Sequence, residues 1–226
     1  MTDPSSTHLV RVWDAPTRLF HWLLVLAVMG LVISGNVGGR WMEWHMRLGY
    51  FVISLLLFRL AWGVVGGYWS RFPQFVYRPS AVWAYLRGRS PLMHRVGHSP
   101  LGALSVFALL LVLGLQVSTG LLTDDEIFYA GPLTRIASQD TIAWASQYHK
   151  GWGKLMLIAL VALHLLALLI YKVVFREALV KAMVTGDKAL PEAVPPSADH
   201  SRTWVLAALL YALAAIATYM IIDLGG

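Results

Sequence analysis

The sequence predicts an all-α integral membrane protein: a bundle of four transmembrane helices, with a fifth transmembrane helix at the C-terminal end. Three observations carry that expectation. Hydrophobic residues make up 58% of the 226-residue chain and charged residues only 13%, too little polar surface for a soluble domain of this size. Five apolar windows reach the roughly 20 residues that a hydrocarbon core about 30 Å thick requires. Ten Trp and nine Tyr gather near the window ends, among them Trp13, Trp41, Trp44, Trp69, Trp144, Trp152, Tyr171 and Trp204, as amphipathic rings do at a membrane–water boundary.

The windows run Leu19–Val37, Trp44–Val65, Leu101–Leu122, Gly151–Tyr171 and Thr203–Ile222. Ahead of the first, eighteen mostly polar residues and the lack of a small-residue cleavage site argue against a cleaved signal peptide. Between the second and third windows, the loop Tyr68–Pro100 contains "PSAVWAYLRGR". Its Trp83, Tyr85 and Leu86 beside Arg87 and Arg89 predict a short amphipathic helix on the interface. After the fourth window, "DKALPEAVPPSADHS" reads by composition as a flexible linker. The last window, rich in alanine, has no His, Lys or Arg after Arg202 and suits close packing against another helix. The expected organisation is a working unit over 1–186, a linker over 187–202 and an accessory helix over 203–226.

Charge sets the expected topology. Thirteen of the eighteen Lys and Arg lie in the amino terminus, at Arg59, and in the segments 69–100 and 172–202. By the positive-inside rule those segments are cytoplasmic, which puts the N-terminus inside and the C-terminus outside. The basic run Arg71–Arg95 then serves topology and anionic lipid. Nothing points to nucleic acid. With no cysteine, disulfides, cysteine-held iron–sulfur clusters and thioether-attached haem are excluded.

Eight histidines remain as candidate ligands. His8 and His200 lie in polar segments and read as solvated. His149 and His164 are fifteen residues apart on one apolar segment, about 22 Å along a helix and offset by about 60°, so one face presents both. With antiparallel neighbours, His21 falls at the depth of His164 and His45 at the depth of His149. Ionisable groups at membrane depth are costly and usually functional. Two level pairs of imidazoles, each drawn from two helices, are what two six-coordinate b haems need. Gly30, Gly35, Gly49, Gly102 and Gly114 would admit a close approach. Arg18 and Arg59 on one side, and Arg40, Arg47 and Lys154 on the other, would face haem propionates. A histidine-lined metal or proton path without haem stays open on the same residues.

Four separated motifs then resemble the bacterial cytochrome b561 and nickel–iron hydrogenase b-type cytochrome family. They are "VWDAPTRLFHWLLVLAV" at 12–28, "HMRLGYFVISLLLFRLAWG" at 45–63, "GHSPLGALSVFALLLVLGLQVSTGL" at 97–121 and "HKGWGKLMLIALVALH" at 149–164. The resemblance covers about Val12 to Gly186. It implies a four-helix transmembrane bundle holding two haem b groups (iron protoporphyrin IX), with iron ligated by His21 and His164 toward the inner face and by His45 and His149 toward the outer face. In the family the fourth-helix spacing is commonly one residue shorter, so a local bulge is expected at His149. His98, in "GHSPLG", is expected to meet an inner haem propionate or to cap the third helix with Ser99 and Pro100. His94 carries less. Gln116, Ser118 and Thr119 read first as interhelical hydrogen-bonding groups, and second as contacts to quinone or haem.

The resemblance implies electron transfer between a periplasmic redox partner, a hydrogenase or a c-type cytochrome, and the quinone pool. A stand-alone oxidoreductase that oxidises superoxide and reduces quinone is the alternative, and whether the chain is an enzyme or a subunit stays open. The acidic triplet Asp124, Asp125 and Glu126 would suit a basic cytochrome c. Self-association in the bilayer is a further expectation without a specific surface.

Overall fold

Five helices long and apolar enough to cross a membrane organise the structure, a computed structural model that describes residues 7–225. In chain order the elements are strand β1 (His8–Arg11), the spanning helices α1 (Ala15–Val37) and α2 (Trp41–Val65), the short helices α3 (Pro79–Leu86) and α4 (Met93–Val96), and spanning helix α5 (Pro100–Gly120). Then come α6 (Gln139–Gln147), a π-helical turn (Tyr148–Trp152) that runs into spanning helix α7 (Gly153–Val173), helix α8 (Leu179–Thr185), strand β2 (Asp187–Leu190) and spanning helix α9 (Ser201–Asp223). The five expected spans are all present, and so is the amphipathic helix, α3. Its Trp83 and Leu86 are exposed, and Arg87 lies over the Trp83 ring at 4.6 Å.

Helix ends follow local chemistry. Asp14 caps α1 by accepting from Thr17 N at 2.8 Å, with Pro16 in the first turn, where its missing N–H is not needed. Gly38 and Gly39 take left-handed φ angles of +69° and +56°, which lets α1 turn directly into α2. Ser99 caps α5. Its Oγ accepts from Gly102 N at 3.2 Å, and Pro100 opens the helix.

The chain forms two compact units. One comprises Met1–Leu19, Leu60–Val106 and His164–Ala208. Here β1 pairs antiparallel with β2, His8 opposite Leu190 and Arg11 opposite Asp187. Val10 of β1 and Leu190 of β2 form a buried cluster with Val12, Trp13, Trp69, Val96 and Ala182. Asp14 is fully buried yet satisfied, because Trp62 Nε1 and Ser70 Oγ also donate to it. The Pro-rich segment after β2, flexible by composition, is tied down. Ser197 N and Oγ donate to the Arg11 and Val12 carbonyls, both at 2.7 Å, and Trp69 Nε1 donates to Pro195 O. Arg11 bridges Asp187 at 2.7 Å and Asp199 at 2.8 Å. Tertiary hydrogen bonds override a composition that suggests freedom.

The other unit comprises Phe20–Arg59, Phe107–Leu163 and Leu209–Gly226. Ala27 of α1, Val52 and Leu56 of α2, Val112 and Leu113 of α5, and Leu157 of α7 form one core, so four helices meet. Leu26, Ile33 and Leu111 point outward, as lipid-facing residues do. Tyr211 brings α9 against α2, with its ring 6.3 Å from Phe58 and its hydroxyl 3.5 Å from Ser54 Oγ.

Candidate functional site

In this second unit, α2 and the π turn bring His45 and His149 together. Their ring centres are 6.0 Å apart and the ring planes are perpendicular, at 90°. Each ring is held from behind by a different helix. His45 Nδ1 lies 3.0 Å from the Leu31 carbonyl oxygen of α1, and His149 Nδ1 lies 2.8 Å from the Gln116 carbonyl oxygen of α5. A carbonyl only accepts, so both Nδ1 atoms carry the proton and donate. The lone pair is therefore on Nε2 of each ring, the tautomer a metal ligand needs.

Glycine makes that close approach feasible. A Cβ on Gly35 would lie 3.0 Å from His45 Cε1, and one on Gly120 would lie 2.9 Å from His149 Cε1. The two cradles share one pattern, Leu31-Val32-Ile33-Ser34-Gly35 and Gln116-Val117-Ser118-Thr119-Gly120. Each supplies a carbonyl at the first position, a hydroxyl three residues on and a glycine four residues on, positions that share a helix face. Ser34 Oγ lies 3.3 Å from His45 Nδ1, and Thr119 Oγ1 donates to the Gln116 carbonyl at 3.1 Å.

The π turn explains the fifteen-residue spacing. It absorbs one residue of helical register at His149, where a local bulge is expected. Its displaced carbonyl is satisfied across the helices, where Gln116 Nε2 donates to His149 O at 2.9 Å. Gly153 makes room, because a Cβ there would lie 2.3 Å from Gln116 Oε1. From the sequence, Gln116 reads first as interhelical glue and second as a contact to quinone or haem, with no link to His149. The repeated x-V-x-[ST]-G pattern was the available signal for both cradles.

Do these residues fit an axially ligated haem? Two metal–nitrogen bonds of about 2 Å, with about 1 Å from each nitrogen to its ring centre, put paired axial imidazoles roughly 6 Å apart. The observed 6.0 Å, the Nε2 tautomers and the side-chain-free cradles all fit. Among the described residues, no group of three or more His, Asp or Glu side chains could hold a bare metal ion.

The other expected residues are placed as follows. His21 lies in the second turn of α1, edge-on to Trp22 at 5.0 Å, and His164 lies within α7; both are partly buried. His98 sits between Trp13 at 4.7 Å and Phe75 at 4.4 Å, and its carbonyl accepts from Tyr77 OH. Burial raises the pKa of that Tyr77 hydroxyl. His94 packs on the Tyr77 ring. Arg18 donates to Val184 O at 2.7 Å and lies 3.7 Å from Asp199. Arg59 is buried. Arg47 is exposed, with its guanidinium over Trp44 at 5.3 Å. Of the expected glycines, Gly35 abuts His45 and Gly30 abuts Leu48. Gly102 meets only its cap Ser99, while Gly49 and Gly114 meet nothing within 4 Å. Gly120, absent from that expectation, is the one against His149.

The sequence pattern of the prokaryotic cytochrome b561 family matches residues 12–186. The chain belongs to this family. It is accordingly a multi-pass membrane b-type cytochrome, an electron carrier whose prosthetic group is haem b. Similar curated proteins are named probable Ni/Fe-hydrogenase B-type cytochrome subunits. The one from Bradyrhizobium diazoefficiens is 25% identical, covering 79% of this chain and 85% of the relative. That of Azotobacter vinelandii is 27% identical over 78% and 87%, and that of Cupriavidus necator 24% over 80% and 87%. No solved structure matches significantly.

Proposed function

We propose that this cytochrome carries two haem b groups at different membrane depths and passes electrons between a periplasmic redox partner and quinone. The observation that carries the reading is the His45–His149 pair, 6.0 Å apart with both Nδ1 atoms on carbonyls. These residues ligate the outer haem through Nε2. His21 and His164, level with each other by sequence position, ligate the inner haem. Haem b, when bound, supplies a one-electron redox centre held by its axial histidines. The chain supplies the tautomers, the glycine cradles and an apolar surround that keeps water from the ligands. Arg18, Arg59 and Arg47 are the cations assigned to propionates, and His98 the group beside the inner haem.

Residues 1–186 form the haem-carrying unit, 187–202 the linker and 203–226 an accessory helix. The bias of Lys and Arg supports a cytoplasmic N-terminus and a periplasmic C-terminus, and the membrane in this reading is a bacterial inner membrane. The names of the relatives make a nickel–iron hydrogenase the favoured electron partner. Visible spectroscopy of the purified chain tests the core of this reading. Two haems per chain with reduced b-type bands are expected. Loss of the same haem from His45→Ala and His149→Ala, with the other spared, establishes the pairing. A colourless preparation refutes the reading.

A further inference from the structure

We propose that Gln116 is a positioning residue that, with the π turn and Gly153, holds His149 crossed against His45, so that the outer haem has perpendicular axial imidazole planes. The proposal rests on the reading that these two histidines ligate one haem.

Gln116 bonds the same ligand twice. Its carbonyl oxygen accepts from His149 Nδ1 at 2.8 Å, and its side-chain amide donates to His149 O at 2.9 Å. One bond fixes the ring and the other fixes the main chain from which the ring hangs. A glutamine acting only as glue would be satisfied by any carbonyl of a neighbouring helix. Here the bond goes to the carbonyl of the ligand itself, inside the π-helical turn Tyr148–Trp152.

The comparison with His45 sharpens the assignment. Leu31 stands where Gln116 stands in the repeated pattern, so His45 has the carbonyl bond but no side-chain amide. His45 needs none, because regular α-helix carries it within Trp41–Val65. His149 sits where the helix changes pitch, and its ring would otherwise follow a softer backbone. Gly153 completes the device by leaving space for the amide; a Cβ would stand 2.3 Å from Gln116 Oε1 and 2.5 Å from Tyr148 Cε1. The result is the 90° between the two rings. Groups behind an axial histidine orient it and tune its metal.

The test uses the full chain purified with its haems. Haem content is measured by the pyridine haemochrome, and the oxidised protein is examined by low-temperature electron paramagnetic resonance. One haem is expected to give the highly anisotropic low-spin signal of crossed imidazoles. Gln116→Met should move that signal's largest g value toward the parallel-plane range and weaken retention of that haem by tenfold or more, leaving the other haem unchanged. Gly153→Ala keeps the amide but takes its space, so it should act alike, and the double variant should be no worse than either. Near-parallel signals from both wild-type haems overturn the proposal, as do unchanged spectrum and retention in both single variants. Retention of both haems by His149→Ala overturns the ligand assignment beneath it instead.

Discussion

Replacing Gly120 by alanine sets two effects of opposite sign against each other. Gly120 is the last residue of α5, so the change favours folding by less than the roughly 1 kcal/mol of a helix interior, because alanine loses less backbone entropy than glycine. At this position, however, the new Cβ would lie 2.9 Å from His149 Cε1 and 3.2 Å from Nδ1. The ring must retreat by roughly half an ångström to restore contact distance. Retreat stretches the 2.8 Å bond to the Gln116 carbonyl, which holds the tautomer. Loss of such a bond weakens metal binding by about 10–100-fold, or about 1.4–2.8 kcal/mol. The site effect therefore wins where haem is read, and the helix effect wins where folding of the haem-free chain is read. Gly114→Ala on the same helix is the matched control, since its Cβ would meet nothing within 4 Å. Haem content and redox titration of both variants, with thermal unfolding of the haem-free proteins, decide the matter. If Gly120→Ala retains both haems at unchanged potentials, or if Gly114→Ala loses haem equally, the cradle argument is wrong.

Gly35→Ala should likewise weaken the haem held by His45, the haem affected by Gly120→Ala, and a spectrum assigning them to different haems would contradict the pairing. Asp14→Ala removes the α1 cap, about 1 kcal/mol, and takes one acceptor each from the buried Trp62 and Ser70, which keep their bonds to Thr17, for a total of about 2–4 kcal/mol; thermal unfolding in detergent measures it. At the tip of the loop after α5, Asp125 Oδ1 accepts from the N–H groups of Ile127, Phe128 and Tyr129, which hold its pKa below the usual carboxylate value. A lowered folded pKa means the contribution is complete above the ordinary carboxylate pKa and is lost as pH falls through the lowered value. Proteolysis at Ile127–Phe128 should thus stay slow at neutral pH and quicken only in strong acid, whereas Asp125→Ala should be cut readily at every pH. Trp62→Phe removes the indole N–H that donates to Asp14 and Thr17 and leaves a void where the fully buried indole stood; about 2–4 kcal/mol of lost stability, read by the same melt, is expected.

The spanning helices were legible because length and hydropathy report burial in lipid directly, and α3 because its aromatic and basic residues segregate. The histidines stood out because imidazole is rare among leucines. Less legible was everything that depends on a backbone atom. Leu31 contributes to the His45 site only through its carbonyl, so its side chain gave no hint, and Gly120 looked like any helix-end glycine. The strand pairing of β1 with β2 was also hidden. Four-residue strands carry almost no periodic signal, and proline before His200 suggested looseness where Ser197 and Asp199 supply fixed bonds.

The pairing of β1 with β2 constrains the order of biogenesis. Arg11 meets Asp187 across 176 positions of chain, so the first strand leaves the ribosome long before its mate exists. Four hydrophobic segments must be threaded into the bilayer while that edge waits unpaired, open to chaperones or to stray strands. Synthesis halted ahead of residue 187 therefore leaves an amino end that cannot close, and quality-control proteases can recognise it.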